Sequence, residues 1–584
     1  MKLPLVVAAL CLVPFGFANR FAVVRSKGVA WIQNQQRENV FSLGVCVVDS
    51  GTKWSDYNLD NPAYAGYRFY PNQQEWATDV VKRLTQWGFN TIGAWSEDSA
   101  LQKVPGSKLF QTPTLSMGAA AGAPWLDMWS PEVVRTMDET AQKQIKALGD
   151  KSRVIGYFSD NELGWWRGAM FEWVWKNKTP YTRRIVCDWL KSQYSNKWSS
   201  LTKDFDVDGA TSFATLRKSG RLFLRPGSNG NDKVRQILGL LAQRYYSLCR
   251  SIIKKHDPDA LYLGDRYISN FYPEVATQAG KYCNVVSTNL NADWTDGTYN
   301  HFHLSQLAKL GGKPLMVTEY YMAAMENSSG NRNDSSGFPV VQTQKERAEN
   351  FARQSRLLLR EPNLVGAHWF QYYDEPKNGR ADGENYNFGL VDTTNRPYTS
   401  LLDALKGIDI NQEHSRRPSP HQMSDQIPMA SRIVDATNWN RDLSYVEPEP
   451  GTVRGELNVA WRPSDVCLDL IWYEDRFSEN LYRTGKIPNE DMTALSVTLP
   501  GITKQLVFKI KPDGTVLTGN GIVAKAKFDA RSHLSVQIPT TFFDFATKRN
   551  FMPGDSVNLD VKLTSQIRTY TTKWKIRRHL TESN

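Results

Sequence analysis

Two glutamates stand where acid–base and nucleophilic chemistry would be done. Glu162 closes an apolar run, Val154–Glu162, in the context Ser159-Asp160-Asn161-Glu162, and Glu319 lies in a second run, Pro314–Tyr321, after Val317-Thr318. Two carboxyls brought face to face can divide one reaction: one gives a proton to a leaving oxygen, and the other attacks the carbon that the oxygen leaves. At a separation of about 5–5.5 Å this is the arrangement of retaining glycoside hydrolysis. Glu162 is expected to be the acid/base and Glu319 the nucleophile. Their pKa values must then diverge, with Glu162 kept protonated by an apolar or anionic setting and Glu319 kept ionised by hydrogen bonds. Asn161, directly before the acid, is set to bond a sugar hydroxyl such as the 2-OH. Taken singly, each glutamate has a plain alternative: Asn-Glu is an ordinary dipeptide, and a glutamate opening a helix is a favourable N-terminal charge.

What would bring the pair together is the alternation of elements around them. Eight apolar, β-rich runs recur at Phe41–Asp49, Phe89–Ser96, Lys108–Leu115, Val154–Glu162, Leu261–Tyr267, Cys283–Leu290, Pro314–Tyr321 and Leu364–Asp374. Stretches of helical period lie between them, including Gln74–Gln86, Ser130–Leu148 and Val234–Lys255. Continuously apolar strands alternating with helices read as a parallel sheet buried on both faces, and eight such units predict a (β/α)₈ barrel. Active sites of such barrels lie at the C-terminal ends of the strands, so Glu162 at the fourth end and Glu319 at the seventh would face each other across the mouth. A doubly wound open sheet is the rival, but no Gly-rich phosphate turn follows the first strand. Trp95, Trp165, Trp166, Trp369, Tyr372 and Tyr373 also fall at strand ends; flat rings stack on apolar sugar faces, and Trp369 is the expected sugar platform. The same rings could equally be core.

The rest of the 584-residue chain sets the context. Hydrophobic residues make up 41% and charged residues 22%, which excludes disorder. A net charge of +11 is spread along the chain apart from Lys573, Lys575, Arg577 and Arg578, and without a basic block it argues against nucleic acid as a partner. Residues 1–18 have the layout of a cleavable secretory signal, Lys2 before an apolar run that ends in Ala18, so a secreted, extracellular protein with no membrane partner is expected. Asn177, Asn327 and Asn333 sit in glycosylation sequons. The cysteines left after the signal are five, without zinc spacing, so neither a metal site nor a cofactor is expected, and one or two disulfides remain open. Residues 19–405 are read as the barrel, 406–431 as a polar linker, and 432–584 as a β-sandwich that could bind carbohydrate through Trp439 and Trp472.

The wording around the two glutamates carries a resemblance. Asn-Glu at the fourth strand with Glu at the seventh looks like glycoside hydrolase clan A. The segments GYFSDNELGW (Gly156–Trp165), LYLGDR (Leu261–Arg266), PLMVTEY (Pro314–Tyr320) and GAHWFQYYDEP with the following GRxDGENYNFGLVD (Gly366–Asp392) are similar to family 50 β-agarases. That resemblance, over about 41–405, implies a retaining β-glycosidase acting on an agarose-type galactan, with Glu162 and Glu319 in the roles given above. It also implies Asp160, Asn161, Arg266, Asn289, His368, Trp369 and Gln371 near the sugar. Bacterial members usually carry a carbohydrate-binding β-domain before the barrel, whereas here the barrel is expected to start almost directly after the signal and a β-domain, sugar-binding or merely structural, to follow it. Two alternatives stay open: the same mechanism on another β-linked polysaccharide or oligosaccharide, and a non-catalytic glycan-binding protein.

Overall fold

The computed structural model describes residues 20–122, 126–176, 178–267, 272–290, 295, 297, 299, 301–335, 338–416, 426–429, 444–446, 455–473, 478–499, 505–517, 522–527, 531–543, 549–565 and 570–581. Each of the eight apolar runs contains one strand: β1 (Ser42–Val45), β2 (Thr91–Ile92), β3 (Phe110–Gln111), β4 (Gly156–Tyr157), β5 (Leu261–Tyr262), β6 (Val286–Asn289), β7 (Leu315–Tyr320) and β8 (Leu364–Trp369). Six of them form a parallel sheet in the order β6-β7-β8-β1-β2-β3, and β4 pairs in parallel with β5. Parallel bridges Gln111–Val154 and Thr114–Phe158 join the β3 and β4 runs, and Tyr267–Thr288 joins the β5 run to β6. Every residue of β1, β6, β7 and β8 is buried, as expected of strands covered on both faces. The packing leaves little slack: a Cβ on Gly44 in β1 would lie 2.5 Å from the His368 ring in β8, so only glycine fits there.

Helices lie between the strands: α1 (Gln73–Gln86), α2 (Pro131–Ala147), α3 (Gly230–His256), α4 (Pro273–Tyr282), α5 (His301–Gly311) and α6 (Gln344–Leu359). Their starts follow capping chemistry. The Asn72 side chain accepts from the backbone N–H of Glu75 before α1, and Thr343 and Glu346 form a reciprocal capping box before α6. α1 buries Trp76, Ala77, Val80, Val81 and Leu84, the one-sided stripe that packs a helix on a sheet. Ahead of β1, strands Phe21–Ser26 and Val29–Asn34 form a hairpin whose Phe21, Ala30 and Ile32 pack on Ile155, Leu261, Val285 and Val365, beside the starts of four strands.

The stretch read as a linker carries a seventh helix, α7 (Ile410–Ser415), held on the body of the protein. Its buried His414 lies 2.9 Å from the Ala30 carbonyl and 2.5 Å from that of Leu359, and Glu413 pairs with Arg360 and Arg416. Beyond it, one sheet runs Gln426–Pro428, Tyr570–Thr581, Ser556–Ser565, Thr493–Thr498, Leu506–Ile510 and Val516–Leu517, and a second runs Ser444–Val446, Glu456–Arg462, Asp465–Tyr473, Arg531–Pro539 and Val523–Lys527. They share a core that includes Trp461, Trp472 and Trp574. Trp472 is therefore packing and not a sugar platform, and Trp439 lies outside the described residues. The architecture as a whole is mixed α/β, with several sheets.

The five described cysteines, Cys46, Cys187, Cys249, Cys283 and Cys467, are buried and unpaired. Among the described residues, no helix is long and apolar enough to cross a membrane, and no three His, Cys, Asp or Glu side chains gather in a way that could hold a metal ion. The signal-like segment 1–18 and Asn177 lie outside the described residues.

Candidate active site

Four side chains from the ends of β4 to β7 converge. The Asn289 amide nitrogen at the end of β6 donates to Glu162 Oε1 at 2.8 Å and to Asn161 Oδ1 at 3.3 Å. Its orientation is set from behind, because Thr318 Oγ1 donates to Asn289 Oδ1 at 2.7 Å and so turns the NH₂ toward Glu162. From the β5 end, Arg266 Nη2 donates to Glu319 Oε1 at 2.5 Å and to the Thr318 carbonyl at 3.3 Å. Arg266 is in turn fixed by its own backbone N–H on Ser287 Oγ, 2.9 Å away, and its carbonyl accepts the N–H of Glu162 at 3.1 Å. Its guanidinium lies against the Trp95 ring, with the Cζ 5.3 Å from the centroid. Arg266 Nε and Nη1 are buried without a protein partner, so this cation retains donors aimed at no group of the chain.

Burial pushes both carboxyls above their ordinary range. For Glu162 the Asn289 amide and the Arg266 charge act against burial. Glu319 is pushed to about 7, with Arg266 pulling it down and the neighbouring charges of Glu162 and Glu384 adding to the rise. Glu319 is thus not simply held ionised by its hydrogen bond: burial and the charges of Glu162 and Glu384 act against Arg266. Of the two, Glu319 alone touches the guanidinium, whose charge favours its ionised form.

The backbone that carries this cluster is unusual. Val47, Trp95, Ser116, Glu162 and Arg266, which follow β1 to β5 in turn, are all left-handed, with φ of 56°, 64°, 48°, 43° and 52°. A non-glycine residue in that region costs about 1–3 kcal/mol, and the cost is sustained only where the surroundings over-determine the conformation, above all at functional sites.

The remaining expected residues divide. Trp95 is 39% exposed beside Arg266. Asp160 is not part of the cluster: its two oxygens accept from the N–H groups of Gly118 and Ala119 and from Tyr245. Trp165 is buried, donates to Asp265 and stacks on Tyr246. Trp369, the expected platform, has no exposure; its Nε1 donates to the Phe388 carbonyl and its ring packs edge-on against Phe351 and Tyr320. Tyr372 is core as well, edge-on to Tyr64. In β8, period-two alternation turns Trp369 away from His368 and onto Phe351 of α6, while Tyr372, past the end of the strand, packs against Tyr64 and Trp87. His368 points the other way and bonds Ser42 Oγ at 2.9 Å; burial, then the Arg266 charge, holds its imidazole neutral, pushed down to about 3. Gln371 is buried at the end of β8, its backbone paired with Phe388 and Leu390.

The loop that follows β8 carries part of the resemblance, but sequence reasoning gave no role to its Arg380 or its acids. Arg380 there pairs with Glu375, Asp382 and Glu384, and burial pushes Glu375 up to about 8. A run with three acids and one arginine between Glu375 and Glu384 was the available signal. The loop is laced to the one after β7 through asparagines: Asn387 donates its N–H to Asn333 Oδ1, Asn331 donates to the Glu375 carbonyl, and Asn327 donates to the Asn331 carbonyl. Asn333 is 6% exposed and spends its amide on the Ala324 carbonyl, and half-buried Asn327 donates to the Met325 and Asn331 carbonyls, so both hold the loop together.

A mixed α/β chain that gathers two buried carboxyls at its strand ends shares its fold with the solved structure of PfGH50B: TM-score 0.58 at 20% identity, covering 68% of this chain and 67% of that one. In sequence, it is 28% identical over 377 residues, 61% of its length, to Beta-agarase B of Vibrio sp. (strain JT0107), of which the match covers 38%. It is 27% identical over 449 residues, 68% of its length, to Beta-agarase A of the same organism, of which the match covers 44%. The chain thus spans less than half the length of these curated relatives. No protein-family model matches it.

Proposed function

We propose that this protein is a secreted, retaining glycoside hydrolase that cleaves β-galactosidic bonds of an agarose-type galactan. The observation that carries the reading is the shared network of Glu162 and Glu319, one on Asn289 and the other on Arg266, from the ends of β4 and β7. The strand pairings β6-β7-β8-β1-β2-β3, with bridges onward to β4 and β5 and back to β6, support a closed (β/α)₈ barrel as the frame. The two Vibrio relatives support the galactan substrate.

In this mechanism the proton that burial keeps on Glu162 passes to the glycosidic oxygen as its bond to the anomeric carbon breaks, while Glu319 attacks that carbon from the opposite face and forms a glycosyl ester. Arg266 holds the attacking oxygen in line and lowers the cost of its charge in a dry site. Glu162, now ionised, takes a proton from water, which opens the ester and regenerates Glu319. Asn289 donates to Glu162 in its charged form, so it stabilises the acid after the proton has left. Asn161, bridged to the same amide, is positioned for a sugar hydroxyl.

The test is release of reducing ends from agarose, porphyran, carrageenan, β-1,4-galactan, cellulose and xylan, with Glu319→Gln as control. Agarose cleavage lost in the variant is the expected result. Cleavage of a different glycan would keep the two glutamates and change the substrate; silence across the panel, with the glycans still bound, would mean a binding protein.

A further inference from the structure

The loop between β1 and α1, on the strand-end face, exposes several large apolar side chains. Trp54 is 81% exposed, Leu59 82%, Tyr67 38% and Phe69 37%. Isolated exposed apolar residues need no explanation, but these are grouped and ordered. Trp54 packs edge-on to Tyr67, with centroids 5.4 Å apart; Tyr67 packs edge-on to Tyr57; and the Arg68 guanidinium covers the Tyr57 ring. Underneath, Phe69 stacks on buried Tyr64, which stacks on Tyr373 at 4.5 Å, and Tyr373 donates to Asp49 at the loop's root. The rings thus stand on a rigid base, with faces open to solvent and Ser55, Asp56, Asn58 and Asp60 between them.

We infer that this aromatic ridge is a distal subsite, on which sugar rings of a polysaccharide chain stack as the chain leaves the two-glutamate centre. The inference rests on the glycoside-hydrolase reading. Position argues for it: the loop leaves the C-terminal end of β1, the end at which Glu162 and Glu319 lie. Continuity argues for it too. Asn61 donates to the Gly379 carbonyl at 3.0 Å and accepts the N–H of Asn378 at 2.8 Å, so the ridge is bonded to the loop whose Arg380 carries Glu384, and the Glu384 charge is felt by both catalytic glutamates. Chemistry completes the case. A pyranose offers an apolar face to a flat ring and hydroxyls to the carboxylates and amides beside it, and a surface that alternates exposed rings with Asp and Asn matches both. A protein partner would instead call for a continuous apolar centre without charges.

The experiment compares wild type, Trp54→Ala and Trp54→Ala/Tyr67→Ala on agarose polymer and on a neoagaro-tetrasaccharide, with Trp54→Phe as the conservative variant and thermal melting to establish folding. Trp54 is almost wholly exposed, so its removal should leave the fold intact. The inference predicts that kcat/KM on polymer falls about tenfold or more in the double variant, that tetrasaccharide turnover stays within about twofold, and that Trp54→Phe restores most of the loss. Equal activity of all variants on polymer would overturn it, as would an equal loss on both substrates. Conversion of a dimer to a monomer by Trp54→Ala, with polymer cleavage intact, would overturn it in favour of an interface between copies. If wild type releases nothing from agarose, the hydrolase reading falls first and the ridge falls with it; a failure of the ridge alone leaves wild-type cleavage in place.

Discussion

The strand-and-helix region buries Trp76, Trp165 and Trp369, as the C-terminal sheets bury theirs, but it also leaves tryptophans open on its strand-end side. Between the two C-terminal sheets, Trp461, Trp472 and Trp574 are at most 1% exposed, whereas Trp54 and Trp95, in the segments following β1 and β2, are 81% and 39% exposed. The backbone divides in the same way. Among the described residues beyond 395, no non-glycine residue has a positive φ, while five such residues follow β1 to β5 in succession. The charges follow suit: the C-terminal strand Tyr570–Thr581 turns Lys573, Lys575 and Arg577 to solvent, but the ends of β5 and β7 bury Arg266 and Glu319, with Glu162 half-buried beside them. One region therefore has its residues where packing favours them. The other keeps strained backbone, buried charge and open aromatic faces together, and such costs persist only where something besides stability maintains them.

The contrast can be broken at several points. Glu319→Ala should lower turnover by on the order of 10⁴-fold or more, with the protein still folded. Glu162→Ala should lose activity chiefly on substrates with poor leaving groups, and an equal loss on activated aryl glycosides would remove it from the acid role. In the other region, Trp574→Ala should cost about 3–5 kcal/mol in denaturant unfolding and leave kcat of the folded protein unchanged; a catalytic defect at full stability would blur the division. Asn289→Ala should lower kcat roughly ten- to a hundredfold. Because the Asn289 amide holds the Glu162 carboxyl down, its loss should also move the alkaline limb of the pH–rate profile upward, a shift that a merely structural role would not produce. The smallest effect concerns stability. Folded Glu319, pushed to about 7 from an ordinary 4.5, keeps a proton that the unfolded chain releases earlier, so its contribution is fully present below pH 4.5 and is lost as pH rises to about 7. Wild type should accordingly lose stability relative to Glu319→Gln across that window, and parallel curves in urea titrations would contradict it.

Much of this was legible in the residues. Apolar runs and helical periods located all eight strands, since a strand covered on both faces has no polar register to obscure it. Glu162, Asn161 and Glu319 could be named because each ends such a run, whereas Arg266 and Asn289 follow only from the resemblance to family 50 β-agarases. What failed was direction. Trp369 sits at a strand end as expected, but alternation along β8 turns its ring onto Phe351 of α6, and Tyr372, past the end of the strand, packs against Tyr64 and Trp87. Asp160 looked like a site residue for the same reason, although its oxygens are taken by local N–H groups. The last strand was hidden because Trp574 and Ile576 alternate with lysine and arginine, which read as a charge cluster before they read as an outer face. The asparagine lacing of the loops after β7 and β8 follows no period at all, so sequence offered only sequons.

The most direct test of the central claim is azide rescue of Glu319→Ala on an activated aryl β-galactoside, followed by NMR. If Glu319 is the nucleophile, azide enters the space its carboxylate leaves, turnover returns, and the product is a glycosyl azide of inverted anomeric configuration. Residual activity near wild type without azide, or rescue confined to Glu162→Ala with inverted product, would contradict the assignment of Glu319.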